Sequence, residues 1–164
     1  MATDVVEEKD FSQPIIRRRK LSAVNEATMR TVIEVEGTGT MVTDEPERNG
    51  GTNTGPTPLT AVVAALCGCE SVTFHRTAEE MGFAYTGITF DADFTIDIRG
   101  RDGDRSVRPH FQTVRMEATV TTEESAERLA EVVAETEARC PVFNLLKDAQ
   151  VKVETVWIRR SAEA

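Results

Sequence analysis

The sequence has 164 residues, of which 40% are hydrophobic and 29% charged, with 19 Lys and Arg against 28 Asp and Glu. That apolar share excludes a disordered chain and is enough for a core in one ordinary domain. The formal net charge of -9 lacks the basic footprint of a nucleic-acid binder and is repelled by an anionic membrane surface. The longest strongly apolar run, Leu59 to Cys67, is about half of what a bilayer span needs. The N-terminal MATDVVEEKD has no basic stretch leading into an apolar one, so no secretory signal is expected and the expected location is cytoplasmic. The acidic balance also suits a high-salt cytoplasm.

In chain order, residues 1–20 read as a lead-in, mobile over the first 13, and 21–164 as a single domain. The basic run Arg17 to Lys20 reads as a solvated strand edge. Thr31 to Val35 and Thr40 to Thr43 read as strands turned by Gly37-Thr38-Gly39. Asp44 to Thr57 is a turn-rich loop. Thr57 as N-cap and Pro58 at the first helical position open a helix. Leu59 to Cys69 is almost uniformly apolar, which predicts burial on all sides. After Glu70 the helix turns amphipathic and solvated through His75, Arg76, Glu79 and Glu80, and Gly82 closes it.

Ile88 to Ile98 alternates apolar and polar residues, as a strand with one buried face does. Gly100 to His110 is a charged loop. Val114 to Val120 alternates in the same way and predicts a hairpin with the strand before it. A second helix spans about Glu123 to Ala138, opened by a Thr121/Glu124 capping box. Cys140-Pro141 breaks it, Val142 to Asp148 forms a short third helix, and Val151 to Ile158 a last strand. This order is α+β with antiparallel sheet.

The cysteines are Cys67, Cys69 and Cys140. Three thiols do not make a disulfide scaffold, and with only His75 and His110 beside them no zinc spacing arises, so neither metal nor cofactor is expected. Cys67 and Cys69 point to nearly opposite helical faces. Cys140 precedes a proline suited to the first helical position, which makes it an N-cap. There the unpaired N–H groups and the helix dipole favour a thiolate. Two helix-borne cysteines about seventy residues apart admit two readings: a peroxidatic and a resolving thiol, or inert core residues.

The stretch GGTNTGPTPLTAVVAALCGCESVTF, from Gly50 to Phe74, resembles the signature of the OsmC/Ohr family of thiol-dependent peroxidases. It has the Gly-rich loop, the helix proline, the Ala/Leu-rich helix, and a cysteine eleven residues after Pro58, at Cys69. Ala138 to Asn144, ARCPVFN, is similar to the family's second-cysteine motif, and Met41 to Pro46, MVTDEP, to the strand and turn before its loop. The resemblance spans about residues 21 to 159. It implies antiparallel sheets wrapped around two central helices in an intertwined homodimer. It also implies that Cys69 is peroxidatic, Cys140 resolving, and Arg30 the cation that holds the thiolate, with Arg48 the runner-up. The implied partners are an organic hydroperoxide and a dithiol reductant. The sequence departs from the family in one place. Leu59 and Thr60 stand where a glutamate orients the arginine, and Asp44, Glu45 or Glu47 would have to replace it. Glu70 points to another side of the helix. This departure favours a second expectation: a small-ligand-binding or redox-sensing protein on the same fold.

A peroxidatic cysteine acts as a thiolate. In mid-helix the dipole helps little, so a neighbouring cation is required. Arginine stays charged and presents several donors in one plane. Val62, Leu66 and Val72 would form an apolar wall that favours organic peroxides, with Phe143 lining it or serving as core. Cys67 is expected to be packing.

Overall fold

A computed structural model describes residues 11–162. The first ten residues of the expected lead-in lie outside the described residues. The chain divides into two units at Thr57 and Pro58.

The N-terminal unit is a three-stranded antiparallel sheet of β1 (Leu21–Asn25), β2 (Thr31–Val35) and β3 (Gly39–Thr43), with β2 in the middle. Val, Ile and Thr supply the strands, and Ile33 pairs with Ala23 on one side and Met41 on the other. Asn25 builds the turn into β2. Its Oδ1 accepts from the Ala27 N–H, and its Nδ2 donates to the carbonyls of Thr28 and Arg30. Arg30 is thereby fixed at the head of β2. After β3 a 3-10 turn, Glu47–Asn49, starts the Gly-rich loop. Gly51 runs against the chain itself, since a Cβ there would lie 1.8 Å from the Glu45 carbonyl oxygen.

The C-terminal unit opens with α1 (Pro58–Met81). There follow β4 (Gly87–Ile96), a short α2 (Ile98–Arg101), β5 (Phe111–Thr121), α3 (Ala126–Arg139), α4 (Pro141–Asp148) and β6 (Lys152–Arg160). The alternating segments pair as the expected hairpin, with Phe90 opposite Ala118 and Phe94 opposite Val114. β6 lies on the other side of β5, in parallel. This corrects the expectation of purely antiparallel sheet. The connection from β5 to β6 passes through α3 and α4, and such a crossover is what a parallel pair requires.

Two further expectations change. The alternation through Ile98 ends at Ile96, because Asp97 caps α2 by accepting from the Arg99 N–H. The capping box of Thr121 and Glu124 does not form. Thr121 belongs to β5, and Ser125 caps α3 by accepting from the Arg128 N–H at 3.2 Å. The hydroxyl of Thr122 is engaged elsewhere, donating to the Ala84 carbonyl and accepting from the Glu124 N–H.

The burial of α1 also differs from expectation. One face is covered along its whole length, through Val63, Leu66, Glu70, Phe74, Thr77 and Ala78. Its second half is therefore as deeply packed as its first. Phe74 stacks on Trp157 at 5.3 Å and meets Phe83 and Tyr85 edge-on. The other face of the apolar half is open in the single chain: Ala65 and Gly68 are exposed, and so is Val72, by 52%. Helix α1 is long and apolar enough to cross a membrane by length and composition alone. Its Phe74 stack and buried face are those of a helix packed in a protein core. Gly82 closes it with φ +61°, the left-handed C-cap that glycine adopts without cost.

Candidate active site

The site is built where α1 passes the junction of α3 and α4. Cys140 sits in that junction, the last cap of one helix and the first of the next. Its N–H donates to the Thr136 carbonyl, and its Sγ accepts from the Phe143 N–H at 3.5 Å. The expected N-cap is present. Asn144 locks the turn, with Nδ2 donating to the carbonyls of Glu137 and Cys140, both at 2.9 Å.

Cys140 is fully buried in a cluster with Val63, Leu66, Phe111, Val114, Met116, Phe143 and Leu146. Phe143 is therefore part of this core. Cys67 and Cys69 pack against the same cluster and are partly exposed. All three cysteines are free thiols. The thiols of Cys69 and Cys140 interact directly, and the carboxyl of Glu70 reaches the Cys140 thiol as well. The fold thus brings together two sulfurs that are seventy-one residues apart in sequence.

The electrostatics of this cluster correct one expectation. The helix start was expected to favour the Cys140 thiolate. Burial instead dominates and pushes the thiol up to about 12; Cys69 and Glu70 push the same way, against the pull of the Phe143 N–H. A cap contact is worth less here than the loss of water. Burial likewise pushes the Cys67 thiol up.

Glu70 is the residue that sequence reasoning undervalued. It is fully buried, and among the described residues neither carboxyl oxygen has an N–H or O–H partner. Burial pushes its carboxyl up to about 7, Glu137 pushes the same way, and the Cys140 thiol holds it back. The signal was legible: it is the first charge after a uniformly apolar stretch, set beside Cys69. Glu137 is itself engaged, its Oε1 accepting from Thr155 Oγ1 at 2.5 Å and from Trp157 Nε1 at 3.2 Å.

Arg30 belongs to the N-terminal unit, where its Nε donates to Thr54 Oγ1 at 3.1 Å. Thr54 in turn donates through both hydroxyl and N–H to Asp44 Oδ2, at 2.9 and 3.0 Å. Asp44 also accepts from the hydroxyl and N–H of Thr52 and from the Glu45 N–H. These donors, the Thr52 hydroxyl first, hold its carboxyl well below the usual carboxylate range. Of the three acids expected to hold Arg30, Asp44 does so through a hydroxyl relay. Leu59 and Thr60 begin α1, and Arg48 is exposed in the 3-10 turn. Among the described residues no group of three or more His, Cys, Asp or Glu is placed to hold a metal ion.

Sequence and fold comparisons agree on the class to which this α+β chain belongs. The model of the OsmC-like protein family matches residues 51–156, and the chain belongs to that family. The fold matches an OsmC-like protein from Mycoplasma pneumoniae with a TM-score of 0.75 at 18% identity, covering 88% of this chain and 99% of that one. It matches an organic hydroperoxide resistance protein OsmC from Legionella pneumophila with a TM-score of 0.68 at 14% identity, over 88% and 99% of the two chains. The organic hydroperoxide resistance protein OhrB of Bacillus subtilis is similar at a TM-score of 0.58 and 17% identity, over 88% and 98%. Among curated proteins none matches this sequence.

Proposed function

We propose that this protein is a cysteine-based peroxidase that reduces organic hydroperoxides in oxidative-stress defence. The observation that carries the proposal is the direct contact between the Cys69 and Cys140 thiols across two helices. A peroxidatic and a resolving cysteine must meet for the disulfide to form.

In the proposed reaction the Cys69 thiolate attacks one oxygen of the peroxide, the O–O bond breaks and an alcohol leaves. Cys69 becomes a sulfenic acid. Cys140 then attacks its sulfur, forming the disulfide and releasing water. A dithiol reductant restores both thiols. Cys69 suits the first role because it is partly exposed. Cys140 suits the second because its buried thiol stays protonated until Cys69 is oxidised. Arg30 is proposed as the cation that favours the thiolate and stabilises charge on the leaving oxygen. The Thr54–Asp44 relay supports this role, since it orients the guanidinium where the family uses a glutamate.

The functional unit is proposed to be a homodimer in the cytoplasm. Ala61, Ala65, Gly68 and Val72 recur four, three and four residues apart on α1. Three of them are exposed in the single chain, and a second copy would cover the stripe and complete the apolar wall beside Cys69.

The test is intact-mass analysis of the reduced protein after one equivalent of cumene hydroperoxide. Loss of two hydrogens, mapped to a Cys69–Cys140 disulfide, supports the proposal. An unoxidised Cys69 after minutes contradicts it and leaves a ligand-binding protein on this fold.

A further inference from the structure

Resting on that proposed function, we infer that Glu70 is the general base of its second step, taking the proton from the Cys140 thiol as that sulfur attacks Cys69. The observation is the Glu70 carboxyl itself. It is fully buried and has no N–H or O–H partner among the described residues, yet it interacts with the Cys140 thiol. An ionisable group in such a place costs stability, so a structure keeps it only with a compensating role. A candidate base must lie beside the proton it removes, and the buried Glu70 carboxyl interacts with the Cys140 thiol.

The chemistry requires such a group. The buried Cys140 is a poor nucleophile as a thiol, and its pull toward the neutral form is strong. The Phe143 N–H stabilises a thiolate there but accepts no proton. Among the described residues, the titratable groups that interact with Glu70 are Cys67 on α1, Cys140 at the start of α4, and Glu137 on α3. Glu137 is held by Thr155 and Trp157. Cys69, whose sulfur also meets the Cys140 thiol, is the atom under attack, which leaves the Glu70 carboxylate as the base that reaches the Cys140 proton.

The step balances. The Cys140 proton moves to Glu70 as the Cys140 sulfur bonds to the Cys69 sulfur. The S–O bond of the sulfenic acid breaks with its electron pair. The departing hydroxide takes the proton back from Glu70 and leaves as water. Cys69 is reduced from sulfenic acid to disulfide, Cys140 is oxidised from thiol to disulfide, and Glu70 returns as carboxylate.

The experiment follows the full-length protein after a single addition of cumene hydroperoxide. Sulfenic acid is trapped with dimedone and disulfide is counted by mass, in wild type and Glu70→Gln. The expected result is that sulfenic acid accumulates on Cys69 of Glu70→Gln while disulfide formation slows by roughly 10²-fold or more. Disulfide closing in Glu70→Gln at the wild-type rate overturns the inference and leaves the peroxidase proposal standing. If wild-type Cys69 forms neither adduct nor disulfide, the peroxidase proposal itself fails, and this inference with it. A second readout needs no variant. With Glu70 as base, the wild-type rate of disulfide formation rises with pH and levels off above about 7. A rate that climbs tenfold per pH unit through pH 9 follows the bare thiol and overturns the inference.

Discussion

The carboxyl of Glu70 and the thiol of Cys140 meet in the interior of the C-terminal unit, each fully buried; the carboxyl raises the proton affinity of the thiol, while the thiol holds that of the carboxyl down. Two acids that share one dry space hold at most one negative charge between them at neutral pH. That relationship has consequences for stability as well as for chemistry.

Glu70 has a folded-state value of about 7 against an ordinary 4.5. The folded state therefore binds the proton more tightly than the unfolded state. Its contribution is fully present below about 4.5 and is lost as pH rises through 7. Glu70→Gln removes this loss. The variant is expected to be more stable than wild type at pH 8 by on the order of 2 kcal/mol, and equal to it near pH 4. Urea unfolding at the two pH values checks this. Equal stability at pH 8 contradicts it.

The Phe74–Trp157 stack ties α1 to β6. Phe74 is fully buried, with Phe83 and Tyr85 edge-on around it. Phe74→Ala is expected to cost about 3–5 kcal/mol, because the rings around it cannot collapse into the void. Denaturant unfolding followed by Trp157 fluorescence measures it. A cost under about 1 kcal/mol contradicts this packing.

Much of the C-terminal unit was legible in sequence, and the exceptions have physical reasons. The alternation in β4 and β5 gave the hairpin because each strand has one wet face. The Cys140-Pro141 pair gave the start of α4, since proline accepts the first helical position and cysteine can accept from the N–H groups behind it. The parallel direction of β6 was hidden, because a period of two is the same in either direction. The buried face of α1 was hidden too. Residues 59–69 are apolar on every side and carry no period, so only Glu70 and Phe74 mark the inner face. At Cys140 the local signal pointed toward a thiolate and the tertiary environment reversed it. Burial by Met116, Val114 and Leu66 comes from distant segments that no local pattern reveals. The α3 capping box failed for a related reason. Thr121 and Ser125 are both good caps, and pairing of Thr121 with Gly87 in the sheet decided between them.

Asp44 anchors the Gly-rich loop through five donors from Glu45, Thr52 and Thr54. Its carboxyl is held far below its ordinary value, so its contribution persists above that value and is lost only in strong acid. Asp44→Asn keeps the shape but replaces one acceptor oxygen by a donor. The loop from Glu47 to Pro56 is expected to become a site of rapid proteolytic cleavage in Asp44→Asn and not in wild type. Peroxide turnover is expected to fall with it, since Thr54 would no longer hold Arg30. Resistance of the variant loop to protease contradicts this.

The exposed stripe of α1 gives a test of assembly. Val72→Glu places a charge in the surface proposed to meet a second copy, and an unpaired buried charge costs several kcal/mol. Light scattering is expected to give a dimer for wild type and a monomer for Val72→Glu. A monomeric wild type contradicts the dimer.

The central claim is that Cys69 is the peroxidatic thiol and Cys140 the thiol that resolves it. It is tested most directly by peptide mapping after one equivalent of organic hydroperoxide, with wild type, Cys69→Ser and Cys140→Ser side by side. The account predicts a Cys69–Cys140 disulfide in wild type, a dimedone-trapped sulfenic acid on Cys69 in Cys140→Ser, and no fast oxidation in Cys69→Ser. Rapid oxidation of Cys140 in Cys69→Ser, or a wild type whose thiols stay intact, would contradict it.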